Sequence, residues 1–334
     1  MTKSSSGRSM AEFSWEFYLV TGLATIDGIA STIIQPFFSL YLNQKGVSPI
    51  ELGIIISIMA YTTLATRIPL GLVMSRFGVW WVVPLALIGH SLSYIFYSLA
   101  SSPIHFCIIR VFHAVSMAAL QPTLMSLASQ VSPEGRRGEA IGMYLTSVGL
   151  AMMGGPLLCS LLLSCFEYRT VLMFSSIIPF IALLVYFSLL RSDALGKHLS
   201  KNARGEKFFD GSPWRLLKPI VKLRSIQSLS YLRFTFGFAH SIIDTLYGIF
   251  VVNILMINPA SYALFLTLNG LANTLFRLPA GRISDIVGRK RPYLAAFITL
   301  TIVFLLFSEV KEVAMIGLAM FLLGMAHGVR AVSE

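Results

Sequence analysis

Apolar runs of about 17 to 25 residues, long enough to cross a bilayer as helices, recur ten times along the chain. They lie at roughly 14–42, 50–73, 80–99, 103–130, 138–163, 168–190, 229–255, 259–282, 292–308 and 313–334. Pro36, Pro69, Pro122, Pro156 and Pro279 interrupt several of them, as membrane helices tolerate when neighbours re-satisfy the freed backbone groups. Trp15, Trp80 and Trp81 fall at predicted helix ends, where an amphipathic ring prefers the headgroup level. The longest polar stretch, 191–228, leaves six spans before it and four after. It divides the chain into a six-helix bundle (1–190), a basic linker (191–228) and an incomplete second bundle (229–334). Within the linker, Trp214, Leu216, Leu217, Ile220, Val221 and Leu223 intermix with Arg215, Lys218, Lys222 and Arg224. That pattern suits a helix lying along the inner membrane face, or an ordinary flexible basic linker.

Two stretches echo each other about 210 residues apart, Arg67-Ile-Pro-Leu-Gly71 through Gly78 and Arg277-Leu-Pro-Ala-Gly281 through Gly288. Each closes an apolar run. A duplicated helix-to-helix hinge inside a membrane-embedded chain is what a transporter built from two similar halves leaves in its sequence, with substrate handled between the halves.

Composition agrees with lipid as the solvent: 55% of residues are hydrophobic, 12% are charged, and mean hydropathy is +0.75. The net charge of +11 does not argue for nucleic acid, because the basic residues fall in the short breaks between apolar runs. Breaks after spans two, four, six and eight hold Arg76, then Arg136 and Arg137, then Arg191 to Arg224, then Arg289, Lys290 and Arg291. The positive-inside rule therefore places the amino terminus and the central loop in the cytoplasm, of a cell-membrane protein. The polar start followed by a long apolar run predicts no removable signal peptide. Cys107, Cys159 and Cys165 sit in apolar segments without metal-ligand spacing and read as packing residues. No metal or cofactor is expected, and neither a nucleophile-base pair nor a phosphate-cradling loop points to an enzyme.

Three groups of residues carry candidate chemistry. Asp27 lies inside the first span, in Thr25-Ile-Asp27-Gly28 with Pro36 nine residues on. A buried carboxylate takes a proton in one conformation and releases it when exposed in another, or stays neutralised by a neighbour such as Arg110. Asp244, four residues after His240 in the seventh span, is the second such candidate. Arg110 and His113 begin the fourth span on one helical face. The arginine either faces a polar interior or snorkels to the outer interface; the histidine either shuttles protons or packs with a hydrogen bond. The fifth span carries Gly149, Ala151, Gly155 and Pro156, small residues that permit close helix packing.

Six spans, a basic cytoplasmic loop and a second set that restarts the pattern resemble the major facilitator superfamily. Gly281-Arg-Ile-Ser-Asp285-Ile-Val-Gly288-Arg289-Lys290 is similar to its signature between the second and third helices of each half, with Ile286 the one departure. The first-half copy keeps Gly71, Arg76 and Gly78 but has Ser75 for the aspartate and Val79-Trp80 for the basic pair. The resemblance implies a breakable cytoplasmic latch centred on Asp285, with glycine where the first helix of the hinge ends. Arg110 through Pro122 resembles the family's fourth-helix motif, which implies a role for Arg110 in proton coupling. The Asp27 segment resembles that of drug/proton antiporters, and Gly155-Pro156 after Ala151 resembles the antiporter element with its first glycine replaced. These likenesses imply an all-α membrane protein of two pseudo-symmetric bundles. The implied function is proton-coupled efflux by alternating access, with a small-molecule substrate, protons and the bilayer as partners.

The spans offer no dense polar set, and Met117, Met125, Met152, Met153, Phe236 and Phe238 suit an adaptable cavity, which favours a lipophilic substrate. A metabolite importer or facilitator is the rival within the superfamily; a non-transporting membrane protein is the rival outside it. By the measure of the first six spans, a second set beginning near 229 would run to about 400. His327-Gly-Val-Arg330 resembles the start of His113-Ala-Val-Ser, so the chain is expected to stop inside a tenth helix, two short of twelve. Oligomeric state and substrate identity stay open.

Overall fold

The computed structural model describes residues 13–77, 79–133, 136–190, 223–309 and 312–333. Every regular element among them is helical: α1 (Trp15–Ile33), α2 (Phe38–Gln44), α3 (Pro49–Phe77), α4 (Val79–Leu99), α5 (Pro103–Gln130), α6 (Arg137–Leu163) and α7 (Tyr168–Leu190), then α8 (Arg224–Ile242), α9 (Pro259–Val287), α10 (Lys290–Glu309) and α11 (Val313–Ser333). The predicted linker helix lies outside the described residues.

Local chemistry sets the helix starts and breaks. Ser14, Ser102 and Asn258 cap α1, α5 and α9 by accepting backbone N–H bonds, and Pro103 and Pro259 open their helices where a missing N–H costs nothing. Pro36 has no N–H to offer Thr32, whose carbonyl accepts from Gln35 instead at 3.3 Å, so α1 breaks into α2. Beyond α8 the chain passes through two π-helical turns, Ile243–Tyr247 and Phe250–Ile254. Such turns widen a helix locally and re-aim the side chains on it.

All ten predicted spans fall on helical segments, yet nine helices among the described residues are apolar and long enough to cross a membrane on composition alone. The tenth, α9, carries Asn269, Asn273 and Arg277 on its inner side. Asn269 donates to the Met320 carbonyl on α11 at 3.1 Å, and Arg277 donates to the Leu145 carbonyl on α6 at 3.0 Å. Neighbours satisfy these polar groups, so a polar helix packs between α6 and α11.

The amino-terminal helices pack as α1 on α6 and α7, α4 on α5 and α7, and α3 on α5. The carboxy-terminal helices pack as α9 and α10 on α11, and α6 meets α9 to join the two sets. Small residues set these crossings. A Cβ on Gly28 would come 2.6 Å from that of Ala151, and one on Gly149 would come 2.8 Å from the Thr274 hydroxyl. A Cβ on Gly155 would overlap Thr32, whose hydroxyl donates to the Ala151 carbonyl at 2.9 Å. Gly149 therefore serves the α6–α9 crossing, while Ala151 and Gly155, with Pro156 next in the helix, serve α1–α6.

The helix ends move two predicted bounds, 73 and 282, and keep the expected glycine at the end of α9. Gly71 and Gly281 do not terminate their helices: α3 runs to Phe77 and α9 to Val287. Gly288, at φ 82°, ends α9. Hydropathy falls where a helix leaves the apolar layer, but its hydrogen-bond ladder continues until a residue takes a conformation that stops it.

Candidate functional site

Asp27, twelve residues into α1, is almost fully buried, and its partner is not an arginine. Its Oδ1 lies 2.8 Å from Nδ1 of His90 on α4, which is completely buried. The other ring nitrogen, Nε2, lies 2.8 Å from the Tyr94 hydroxyl one turn along α4. That hydroxyl in turn donates to the Ala30 carbonyl, in the last turn of α1 just before the break at Pro36.

The proton count of this chain follows from its donors. Tyr94 has one O–H, which Ala30 receives, so the phenol oxygen accepts from His90 and Nε2 carries a hydrogen. The short Asp27–His90 contact then needs one more proton, held on Asp27 or on Nδ1. If that proton leaves, an ionised Asp27 requires the Nδ1–H tautomer, and the bare Nε2 requires a donor. Tyr94 supplies one only by releasing Ala30. Loss of one proton thus exchanges a bond between α4 and α1 for a bond within α4, beside the α1–α2 break.

His113 and Arg110 on α5 adjoin this chain without joining it. The His113 ring stacks on that of His90 with centroids 4.9 Å apart, and its Nδ1 lies 3.3 Å from the Tyr97 hydroxyl. The Arg110 guanidinium sits 4.0 Å from the centre of the Phe38 ring and donates to the Met59 sulfur at 3.0 Å. No carboxylate among the described residues lies within ion-pair distance of it, and neither Arg110 Nε nor His113 Nε2 has a hydrogen-bond partner. Arg110 is inward-facing and buried, not snorkelling.

The carboxy-terminal helices hold a second cluster of the same kind. His240 Nδ1 lies 2.9 Å from Asp244 Oδ2, the His240 ring meets that of His327 at 4.6 Å, and the Arg330 guanidinium sits 4.2 Å from the centre of the Phe236 ring. Each cluster therefore comprises a carboxylate bonded to a histidine, a second histidine against the first, and an arginine over a phenylalanine. In the first, the Asp27–His90 pair is sealed in protein, while Arg110 and His113 reach a cavity. In the second, Asp244 falls in the first π-turn and lines two cavities, of about 440 Å³ and 220 Å³. Asn273, Arg277, His327 and Arg330 border the larger; Arg110, His113 and Met117 border the smaller. The cavities lie between the two helix sets, where α6 and α9 cross on one side.

Residues 20–329 match the sequence pattern of the Major Facilitator Superfamily. The chain belongs to that family. Among curated relatives in the superfamily, an uncharacterized MFS-type transporter of Methanocaldococcus jannaschii is 21% identical over 182 residues, covering 54% of this chain and 47% of that protein. A homolog of the PmrA multi-drug resistance efflux pump from Lactococcus lactis is 24% identical over 153 residues, covering 45% and 38%. The aligned part thus spans less than half the length of either relative. The fold is also that of solved superfamily transporters. A bacterial homolog of the human lysosomal transporter Spinster, inward-facing and unoccupied, superposes with a TM-score of 0.74 at 17% identity over 97% of this chain and 74% of that one. A point mutant of the nucleoside transporter NupG gives 0.73 at 14% identity over 95% and 81%. The architecture is the major facilitator fold, an integral membrane protein with many crossings.

Of the site residues expected from the sequence, the superfamily fold brings Arg110, His113 and Asp244 to one cavity and sets Asp27 behind it. The described signature residues lie in or beside the last turns of α3 and α9 and line neither cavity. Gly281 is in the last two turns of α9, and Arg289 and Lys290 are exposed beside Gly288. Gly78 and the side chains of Arg76 and Asp285 fall outside what the structure describes. His90, Tyr94, His327, Asn273 and Arg277 were not anticipated as functional. The α4 signal was readable, since His90, Ser93, Tyr94 and Tyr97 fall at i, i+3, i+4 and i+7 in an otherwise apolar span.

Proposed function

We propose that this protein is a proton-coupled secondary transporter that exports a small amphipathic compound by alternating access. The carrying observation is the buried Asp27–His90–Tyr94 hydrogen-bonded chain, which ties α4 to α1 beside the central cavity and would hold one exchangeable proton. Protonation of the Asp27–His90 pair would fasten Tyr94 to Ala30, and deprotonation would release it, giving α1 two arrangements that a proton gradient can bias. Charged and titratable neighbours that bear on the pair are Arg110 and His113 on α5 and Tyr144 on α6. Arg110 and His113 would set the field in which the proton is held, and Asp244 with His240 would answer protons from the cavity side. Asp285, Arg289 and Lys290, with Gly71, Arg76, Gly78, Gly281 and Gly288 shaping the two turns, would latch the cytoplasmic face. Residues 1–190 and 229–334 would move as units about the 191–228 linker, with the linker and amino terminus in the cytoplasm. Efflux is favoured by the Lactococcus lactis relative, described as an efflux pump homolog.

The test is flux in proteoliposomes of naphthalenesulfonate and naphthyltrimethylammonium, two small fluorescent amphiphiles of opposite charge. An imposed pH gradient should drive one of them against its concentration gradient, and nigericin should stop it. Movement that ignores the gradient would identify a facilitator instead. Tyr94→Phe supplies a second check. It removes the hydroxyl that links His90 to Ala30, so gradient-driven accumulation should fall about 5- to 10-fold, the equivalent of one net hydrogen bond, while exchange at equal pH continues.

A further inference from the structure

Among the described residues, three arginines, Arg110, Arg277 and Arg330, border the paired cavities, against Asp244 as the one carboxylate. Arginine stays protonated in proteins, and Asp244 is already engaged by His240 at 2.9 Å. The balance of the cavity wall is therefore positive. One of these cations and two ring nitrogens of the wall are also incompletely satisfied. Arg110 is 7% exposed, with Nε lacking a hydrogen-bond partner and no described carboxylate within ion-pair distance. His113 and His327, 2% and 7% exposed, each leave Nε2 without a partner while lining the cavities. Unpartnered buried polar groups are costly to keep, and here they come from both helix sets and border two cavities that share Asp244. Met117, Met152 and Phe236 supply apolar walls beside them.

We infer that the transported compound is an amphipathic anion, a carboxylate, sulfonate or phosphate ester with an apolar body, held between Arg110 of one helix set and Arg277 of the other. This inference rests on the transporter reading and names its substrate class. It narrows the lipophilic substrate that the methionine-rich cavity favours to one carrying a negative group. An anion between the two sets also couples binding to closure, since the full complement of donors reaches it only when the sets approach.

Isothermal titration of the purified full chain with naphthalenesulfonate and naphthyltrimethylammonium tests the inference without any variant. Naphthalenesulfonate should bind at least about 10-fold more tightly, and Arg110→Gln and Arg277→Gln should each weaken it about 10-fold, the scale of a charge-assisted contact. Arg110→Lys, which keeps the charge, should retain part of the affinity. Equal or tighter binding of the cation, or binding of neither probe, would overturn the inference, as would anion binding indifferent to both glutamine variants. The two readings fail separately. Gradient-driven flux of naphthyltrimethylammonium alone would leave the transporter standing and remove the anion, whereas tight naphthalenesulfonate binding without gradient-driven flux would do the reverse.

Discussion

Asp27→Asn should abolish gradient-driven transport while leaving the protein folded and able to exchange substrate at equal pH. Asparagine has nearly the shape of a protonated aspartate, and its amide can donate to His90 Nδ1 as the acid does. The buried chain to Tyr94 and Ala30 stays satisfied, but the proton can no longer leave. The variant should therefore behave as a permanently protonated protein, with uphill flux reduced at least about 100-fold, the lower range for loss of a positioned proton-transfer group. Asp27→Leu is the informative contrast. It strips His90 of its partner in a completely buried setting and should lower stability by about 1–3 kcal/mol, read as a fall in melting temperature that Asp27→Asn does not share.

Gly270→Val should push the α6–α9 crossing apart. A Cβ at Gly270 would stand 2.5 Å from the Met152 carbonyl oxygen and 2.8 Å from the Met153 Cα, backbone atoms that cannot rotate away. Overpacking of this kind costs about 1–3 kcal/mol, enough to shift a two-state population by roughly 5- to 150-fold. States in which the helix sets part on this side should gain at the expense of the one in which they touch. Ser160 reports the change, because its hydroxyl donates to the Ala260 carbonyl across the same crossing at 2.8 Å and is nearly buried. With the three native cysteines replaced by serine, Ser160→Cys should react slowly with a maleimide in the parent and much faster in Gly270→Val. Equal rates would show that the crossing does not open, or that it relaxes around the extra methyls.

These expectations draw on residues of unequal visibility in the sequence. The spans were legible because apolar runs of membrane length are long signals, and even α9, the most polar of them, stood between turn residues. Helix ends were not, since Gly71 and Gly281 mark where hydropathy drops, whereas α9 stops at Gly288, whose φ is positive. Asp27, Arg110, His113 and Asp244 were visible as ionisable residues inside apolar spans, where they are costly. Their pairing was hidden. Arg110 was the natural partner for Asp27 on charge, yet the fold gives that place to His90 and leaves the arginine over Phe38. A histidine sixty-three residues away in sequence enters such a pair only through helix packing, here α4 between α5 and α7. The second cluster was hidden for a further reason: His327 and Arg330 recur on α11 in the opposite order to Arg110 and His113 on α5, so the likeness shows in space rather than in a motif.

Proton movement during transport shows directly whether the Asp27–His90 pair exchanges a proton in each cycle. Proteoliposomes holding a pH-sensitive dye and preloaded with naphthalenesulfonate would be followed as the probe leaves. Proton movement in the opposite direction should keep step with probe efflux in the parent and be absent in Asp27→Asn. Proton movement that persists undiminished in Asp27→Asn would contradict exchange at this pair.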